Sequence, residues 1–177
     1  MTTTASATLV PLLSTVLLLL LFQRCHGDLA FLTSQCQQTH YFDYCMAAMQ
    51  TDSRSIIVKT TAEILSVSID IAIRRTTVVV RLMVDKARRS PGGREANALN
   101  RCAQIYSSAI ANLRNARNEA GRENYGAVYD RVKEGSAAPG KCDAALAFVN
   151  VPLRAKNDDE RNLFGVVLDF ADLMNES

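Results

Sequence analysis

DSRSIIVKTTAEILSVSIDIAIRRTTVVVRLMVDKARRSPGG, residues 52–93, is the stretch whose periodicity sets the fold. After Asp52, an N-cap residue type, Val58, Ala62, Leu65, Ile69, Ala72, Thr76, Val79 and Met83 alternate spacings of four and three. All but Thr76 are apolar, so they form one stripe along a helix. Ile57, Ile64, Ile71 and Val78 recur every seven residues beside it and widen the face to be buried. The spacing predicts one helix from about Ser53 to Arg88, about 50 Å long. Ser90, Pro91, Gly92 and Gly93 then end it, because proline lacks a backbone donor and glycines permit a reversing turn.

A second helix must double back, and Leu99, Cys102, Tyr106, Ala109, Leu113, Ala116 and Ala120 give its stripe, closed by Gly121. Tyr125, Val128, Val132 and Ser136 continue as a third helix, which Pro139 and Gly140 are expected to close just before Cys142. For the last helix the expected start is Asn157 as cap, with Glu160 reaching back and Asp158 and Asp159 complementing the helix dipole. Leu163, Val166, Val167, Phe170, Leu173 and Met174 supply its face. Gly165 inside it costs about 1 kcal/mol relative to alanine, and nothing in the sequence offsets that. Four helices with short, breaker-rich connections predict an all-α, up-and-down four-helix bundle over residues 51–177. Residues 28–50 form a different unit, two apolar patches around Cys36 and Cys45 that are too brief to be stable alone. They read as a helical hairpin in which Leu32, Tyr41, Phe42, Tyr44 and Met49 cover an end or flank of the bundle.

Residues 1–27 read as a secretory signal. The apolar run from Leu9 to Phe22 is 14 residues long and contains Pro11. A membrane-spanning helix needs about 20. Cleavage after Gly27 gives a secreted product of 150 residues, one domain in size. The mature chain carries 19 Lys plus Arg against 18 Asp plus Glu, a balance that argues against nucleic acid as a partner. No later segment is long and apolar enough to anchor it in a membrane. Cys25 leaves with the signal, and four cysteines remain. They permit three pairings, of which the sequential one is favoured. Zinc is disfavoured because the spacings lack Cys-x-x-Cys knuckles.

Catalytic patterns are missing. There is no Gly-x-Ser-x-Gly elbow, His-Glu-x-x-His pair or phosphate loop, and His40 is the single histidine of the mature chain. Asp158, Asp159 and Glu160 read as a solvated helix start rather than an acid/base or metal cluster. Arg74 with Arg75, and Arg88 with Arg89, read as charged pairs facing water. Asn175-Glu176-Ser177 is a glycosylation sequon at the end of the sequence. No cofactor or metal is expected.

Several stretches together resemble the plant invertase and pectin methylesterase inhibitor family across the mature chain. Cys36-Gln-Gln-Thr39-His-Tyr41-Phe-Asp-Tyr44-Cys45 resembles its opening, and Asp52-Ser53-Arg54-Ser55 the polar link into its first long helix. Leu99-Asn-Arg-Cys102-Ala-Gln-Ile-Tyr106, followed by Ala109 and Leu113, resembles the helix carrying its third cysteine. Tyr125 through Cys142 resembles the helix and turn leading to its fourth. The resemblance implies a four-helix bundle with an N-terminal hairpin, Cys36 joined to Cys45, and Cys102 joined to Cys142.

The resemblance also implies a protein secreted to the cell wall, with the vacuole as the other destination, that is not an enzyme and occupies the active-site cleft of pectin methylesterase or acid invertase in a 1:1 complex. Some invertase inhibitors place Pro-Lys-Phe where this chain has Glu123, Asn124 and Tyr125, so the aromatic survives but the proline and the positive charge do not. In the pectin methylesterase branch the faces of the long helices meet the cleft, and Gln104, Ser107, Ser108, Asn112 and Arg114 lie off the buried stripe. Pectin methylesterase is therefore the favoured target. The alternative is a non-inhibitory helical module that binds a receptor or a small ligand.

Overall fold

The computed structural model describes residues 29–90, 93–151 and 153–176, and all its regular structure is helical. The predicted signal, residues 1–27, lies outside the described residues. Residues 29–36 (α1) and Phe42–Met49 (α2) form the hairpin, joined by the Cys36–Cys45 disulfide with Cα atoms 5.6 Å apart. A 3-10 turn, Ser53–Ile56, leads to α3 (Thr61–Arg89), α4 (Arg94–Ala120), α5 (Tyr125–Ser136), α6 (Ala138–Leu146) and α7 (Arg154–Asn175). Neighbours pack as α3 on α4, α4 on α5, α5 on α7 and α7 on α3, which closes the ring of the bundle. The hairpin helix α2 lies on α7 and α3.

The stripes are where the periodicity puts them. Leu65, Ile69, Ala72, Thr76, Val79 and Met83 of α3 are buried, as are Leu99, Cys102, Tyr106, Ala109, Leu113 and Ala116 of α4. Three boundaries differ from expectation. The first long helix begins at Thr61, not Ser53, because Thr60 and Glu63 form a capping box: the Thr60 hydroxyl accepts from the Glu63 N–H at 3.2 Å, and the Glu63 carboxylate accepts from the Thr60 N–H at 3.2 Å. Asp52 caps only the 3-10 turn, accepting from the Arg54 N–H at 3.0 Å. Ile57 therefore falls outside the helix and is 63% exposed, and Val78 is 62% exposed, so the ends of the seven-residue row do not reach the core.

Pro139 does not close the third helix. The chain bends at Ala137 and re-enters a helix, α6, with Pro139 in its first turn, where a missing N–H leaves no bond unmade. That helix brings Cys142 to Cys102, Cα to Cα 4.8 Å, and packs on α4 and α7. The last helix starts at Arg154, one turn before Asn157, so Asn157 is not its cap and Glu160 does not reach back to it. Both are buried, at 0% and 2% exposure, and together they make a polar layer across the core. The Thr76 hydroxyl donates to Glu160 Oε2 at 2.6 Å. The Tyr106 hydroxyl donates to Asn157 Oδ1 at 3.0 Å, and Asn157 Nδ2 donates to Asp143 Oδ1 at 2.6 Å. Arg161, on the surface side, pairs with Asp143 at 2.7 Å and also with Asp158.

The hairpin is fastened along the α3/α7 flank. Leu32 and Met49 are fully buried, Tyr41 and Tyr44 half-buried, and Phe42 is exposed, so Phe42 does not share in covering the bundle. The Tyr44 hydroxyl donates to the Asp159 carbonyl at 2.7 Å, with Arg75 over its ring at 5.5 Å, and burial pushes the Tyr44 hydroxyl pKa up to about 12. Arg75 is thus engaged with an aromatic ring, and Arg74 bonds Asp52 at 2.7 Å. Gly165 has its explanation here: a Cβ would run into the Tyr41 ring, whose Cζ would lie 3.0 Å away. Glycine on α7 is what lets that ring approach the helix so closely.

Two outcomes are expected. Gly165→Ala displaces Tyr41 and destabilises the fold by about 1–2 kcal/mol, an overpacking cost that exceeds the gain in helix propensity. In a Tyr41→Ala background the same substitution stabilises by up to about 1 kcal/mol, and chemical denaturation of the four-member cycle reads the sign change. The second concerns Glu160. Burial raises its carboxyl pKa above the ordinary value, and no cation forms an ion pair with it among the described residues. The folded chain then holds this proton more tightly than the unfolded chain. Stability from this group rises as pH falls through the raised value and levels off below the unfolded one. Asp52, hydrogen-bonded by Arg54, and Glu63, bonded by the Lys59 and Thr60 N–H groups, are held low and act oppositely. Glu160→Gln isolates the difference: its melting temperature exceeds that of the parent near neutral pH, and the gap closes toward about pH 4. A variant that melts lower than the parent at neutral pH contradicts this account.

Candidate functional site

Helix α4 buries one side against α3, α5 and α6 and turns the other outward. Gln104, Ser107, Ser108 and Arg114 are exposed on that outer side, over a span of about 15 Å. Asn112 is half-buried at the seam with α5, where a Cβ on Gly135 would stand 3.8 Å from its own Cβ. The Ser107 and Ser108 hydroxyls donate back to the carbonyls of Ala103 and Gln104 at 2.7 and 3.2 Å, which leaves their lone pairs free to accept. Among the described residues, the side chains of Gln104, Asn112 and Arg114 make no hydrogen bond or ion pair.

The connection from α4 to α5 is built differently. Glu123 takes a left-handed backbone, φ 59°, which is uncommon for a residue with a Cβ. Asn124 caps α5: its Oδ1 accepts from the Ala127 N–H at 3.5 Å, and its Nδ2 donates to Glu119 Oε2 at 3.0 Å. Tyr125 is half-buried and, with Glu123, lines an open groove of about 510 Å³ walled by Arg54, Ile57, Glu63 and Arg117.

That wall is held by an ion network. Arg54 bonds Asp52 at 2.8 Å and Asp70 at 2.9 Å, and Arg117 bonds Asp70 at 3.1 Å. The structure therefore puts the eight predicted residues in two groups, five along the middle of α4 and three at its C-terminal end, and does not merge them into one pocket. Arg54, Ile57 and Arg117 complete the groove and were not anticipated. Their signal in the sequence is the apolar pair Ile56-Ile57 left stranded between Asp52 and the Thr60 cap.

His40 and the cysteines of the two disulfides are tied into the fold. His40 is 85% exposed in its side chain and bonds Asp169, Nδ1 to Oδ1 at 3.0 Å and backbone N–H to Oδ2 at 2.8 Å, a tie between hairpin and α7. The four cysteines among the described residues are all consumed in the two disulfides, Cys36–Cys45 and Cys102–Cys142, so none of them is a thiolate for zinc. Among the described residues no set of three or more His, Cys, Asp or Glu side chains is arranged to hold a metal ion, and no helix is long and apolar enough to cross a membrane.

Solved structures share the fold, two of them inhibitors from Arabidopsis. The crystal structure of mutant form A of a pectin methylesterase inhibitor from Arabidopsis is similar with TM-score 0.67 and 17% sequence identity, over 78% of this chain and 93% of that one. The crystal structure of a pectin methylesterase inhibitor from Arabidopsis thaliana is similar with TM-score 0.60 and 17% identity, over 82% and 96%. No curated protein matches the chain by sequence. The sequence pattern of the plant invertase/pectin methylesterase inhibitor family matches residues 30–168, a span that takes in the hairpin, both disulfides and most of the bundle. With helices, disulfides and sequence pattern in agreement, the chain belongs to the plant invertase/pectin methylesterase inhibitor family.

Proposed function

We propose that this chain, trimmed of residues 1–27 and secreted to the cell wall, inhibits a pectin methylesterase by laying the outer face of α4 in the enzyme's active-site cleft. Residues 28–50 and 51–177 act as one inhibitor domain in a 1:1 complex. The observation that carries the choice of surface is the contrast on α4: Gln104, Asn112 and Arg114 are unengaged on a rigid helix, whereas Asn124 in the connection is committed to capping α5. A side chain already positioned by a helix loses little freedom on docking, so more of its contact energy appears as affinity. Arg114 adds a planar donor suited to a carboxylate. Acid invertase is the second target class. Docking through residues 123–125 is disfavoured by the half-buried Tyr125 and by Asn124's capping role.

The test is inhibition of a panel of plant pectin methylesterases and acid invertases, at acidic and neutral pH. Stoichiometric loss of pectin methylesterase activity is expected. The double variant Gln104→Ala/Arg114→Glu, with helicity unchanged, should bind about tenfold more weakly or worse, a loss of about 1.4 kcal/mol. Inhibition confined to invertase transfers the target, and inhibition of neither enzyme class defeats the proposal.

A further inference from the structure

The mature charge balance of nearly zero conceals a strong segregation. Toward one end of the bundle most of the arginines are locked in pairs, Arg54 and Arg74 with Asp52, Arg117 with Asp70 and Arg122 with Glu119, and Arg114 stands unpaired. At the other end they are not. Lys86, Arg89 and Arg94 flank the turn from α3 to α4, and none has an ion pair or side-chain hydrogen bond among the described residues.

Four more unpaired cations lie just below that turn, and bonds between helices fix their level. Arg101 and Lys141 immediately precede Cys102 and Cys142, whose Cα atoms are 4.8 Å apart. Arg154 lies one turn before Asn157, which bonds Tyr106 of α4 and Asp143 of α6. Arg81 lies about 7 Å beyond Thr76, the residue that bonds Glu160 of α7. All four are exposed.

The acids at this end are already engaged. Asp85 pairs with Arg88, Asp143 and Asp158 with Arg161, Asp159 with Lys156, and Glu160 is buried. Glu95, which accepts from the Ser90 hydroxyl, is the one acid there not taken up by a cation or by burial. Seven cations without an ion-pair partner thus crown one end, offset in part by Glu95 and by the second of the two acids that share Arg161, while Glu123, Asp130 and Asp172 stand unpaired toward the opposite end.

We propose that the end formed by the α3–α4 turn, α6 and the start of α7 binds a linear polyuronate, a polysaccharide carrying a free carboxylate on each sugar. Five of the seven cations are arginines, whose planar forks match carboxylates in two parallel hydrogen bonds. Spread over four helices, they suit an extended anion with regularly spaced charges better than one compact group. The acidic far end sets the orientation, because a polyanion laid along the bundle axis would be repelled there, so the polymer crosses the basic end. The polymer's identity rests on the proposed inhibitor reading in one respect: removing methyl esters from pectin produces such free carboxylates. An inhibitor held on this product stays where its target enzyme works.

Binding is measured with the mature chain and no enzyme present, so its failure and a failed inhibition assay are separate results. The probes are polygalacturonate, the same polymer fully methyl-esterified, and a DNA duplex of equal charge, in affinity electrophoresis and in a surface-binding assay. Polygalacturonate should retard the protein and the esterified polymer should not. Retardation should weaken as salt shortens the screening length from ~30 Å at about 0.01 M to ~8 Å at about 0.15 M. Lys86→Glu/Arg89→Glu/Arg94→Glu, all beside the turn, should weaken binding at least tenfold with the far-ultraviolet spectrum unchanged, whereas Arg122→Glu at the opposite end should not. No retention on polygalacturonate, equal retention on the esterified polymer, tighter binding to DNA, or an unaffected triple variant each overturns the proposal.

Discussion

Apolar stripes bring four helices together, but they do not say how far each may slide along its neighbour, since a shift of one turn or one heptad still faces apolar residues with apolar residues. What sets the level of each helix here is a layer of directional bonds in the core: Thr76 to Glu160 joins α3 to α7, Tyr106 to Asn157 joins α4 to α7, and Asn157 to Asp143 joins α7 to α6. A buried polar atom left without its partner costs about 1–3 kcal/mol, so a slipped register loses several such bonds together. The Cys102–Cys142 disulfide adds a covalent tie between α4 and α6 near the same level. Every surface feature that depends on residues from two or more helices, the basic end above all, inherits its geometry from this layer.

The hairpin depends on the bundle in turn. Two helices of about eight residues are too short to persist alone, and the Cys36–Cys45 link holds them to each other without holding them to anything else. Their seat is the α3/α7 flank, where the Tyr41 ring lies against Gly165, the Tyr44 hydroxyl reaches the Asp159 carbonyl and His40 reaches Asp169. Asp159 and Glu160 are consecutive on α7, one turned toward the hairpin through its carbonyl and the other inward to Thr76. The core layer and the hairpin seat are thus adjoining parts of one assembly.

The long helices were legible because the stripes at spacings of three and four were long, and burial follows them through their central turns, whereas the short α6 gave no stripe of its own. Helix ends were less so, because the same local pattern serves more than one purpose. Asp52 is a good cap by type, but its carboxylate is taken by Arg54 and Arg74, and the Thr-x-x-Glu box at Thr60 and Glu63 starts the helix instead. Pro139 can stop one helix or open the next, and the choice was made by the pairing of Cys142 with Cys102. Asn157 and Glu160 have capping-box spacing, yet both face the core. Their partners, Thr76 and Tyr106, were visible as hydroxyl-bearing members of otherwise apolar stripes, and two such residues on different helices signal a polar crossing. Gly165 could not be explained without the Tyr41 ring, a contact more than a hundred residues away in sequence.

Helix α4 divides its residues between those the fold depends on and those it leaves free. Leu99, Cys102, Tyr106, Ala109 and Leu113 are fixed by packing, by the disulfide or by the polar layer, and a change at any of them disturbs the whole bundle. Gln104 and Arg114, on the same helix but outward in space, carry no bond that the fold requires. Substitutions there cost the folded state little, usually within about 0.5 kcal/mol, so the outer face can be rewritten for a new partner while the core stays as it is. The connection at residues 123–125 has less of that freedom, since Asn124 caps α5 and Glu123 holds a left-handed backbone. Substitution is therefore more readily accommodated along the outer face of α4 than at the turn that follows it, and the stiffness of that helix depends in turn on the polar layer that fixes its level.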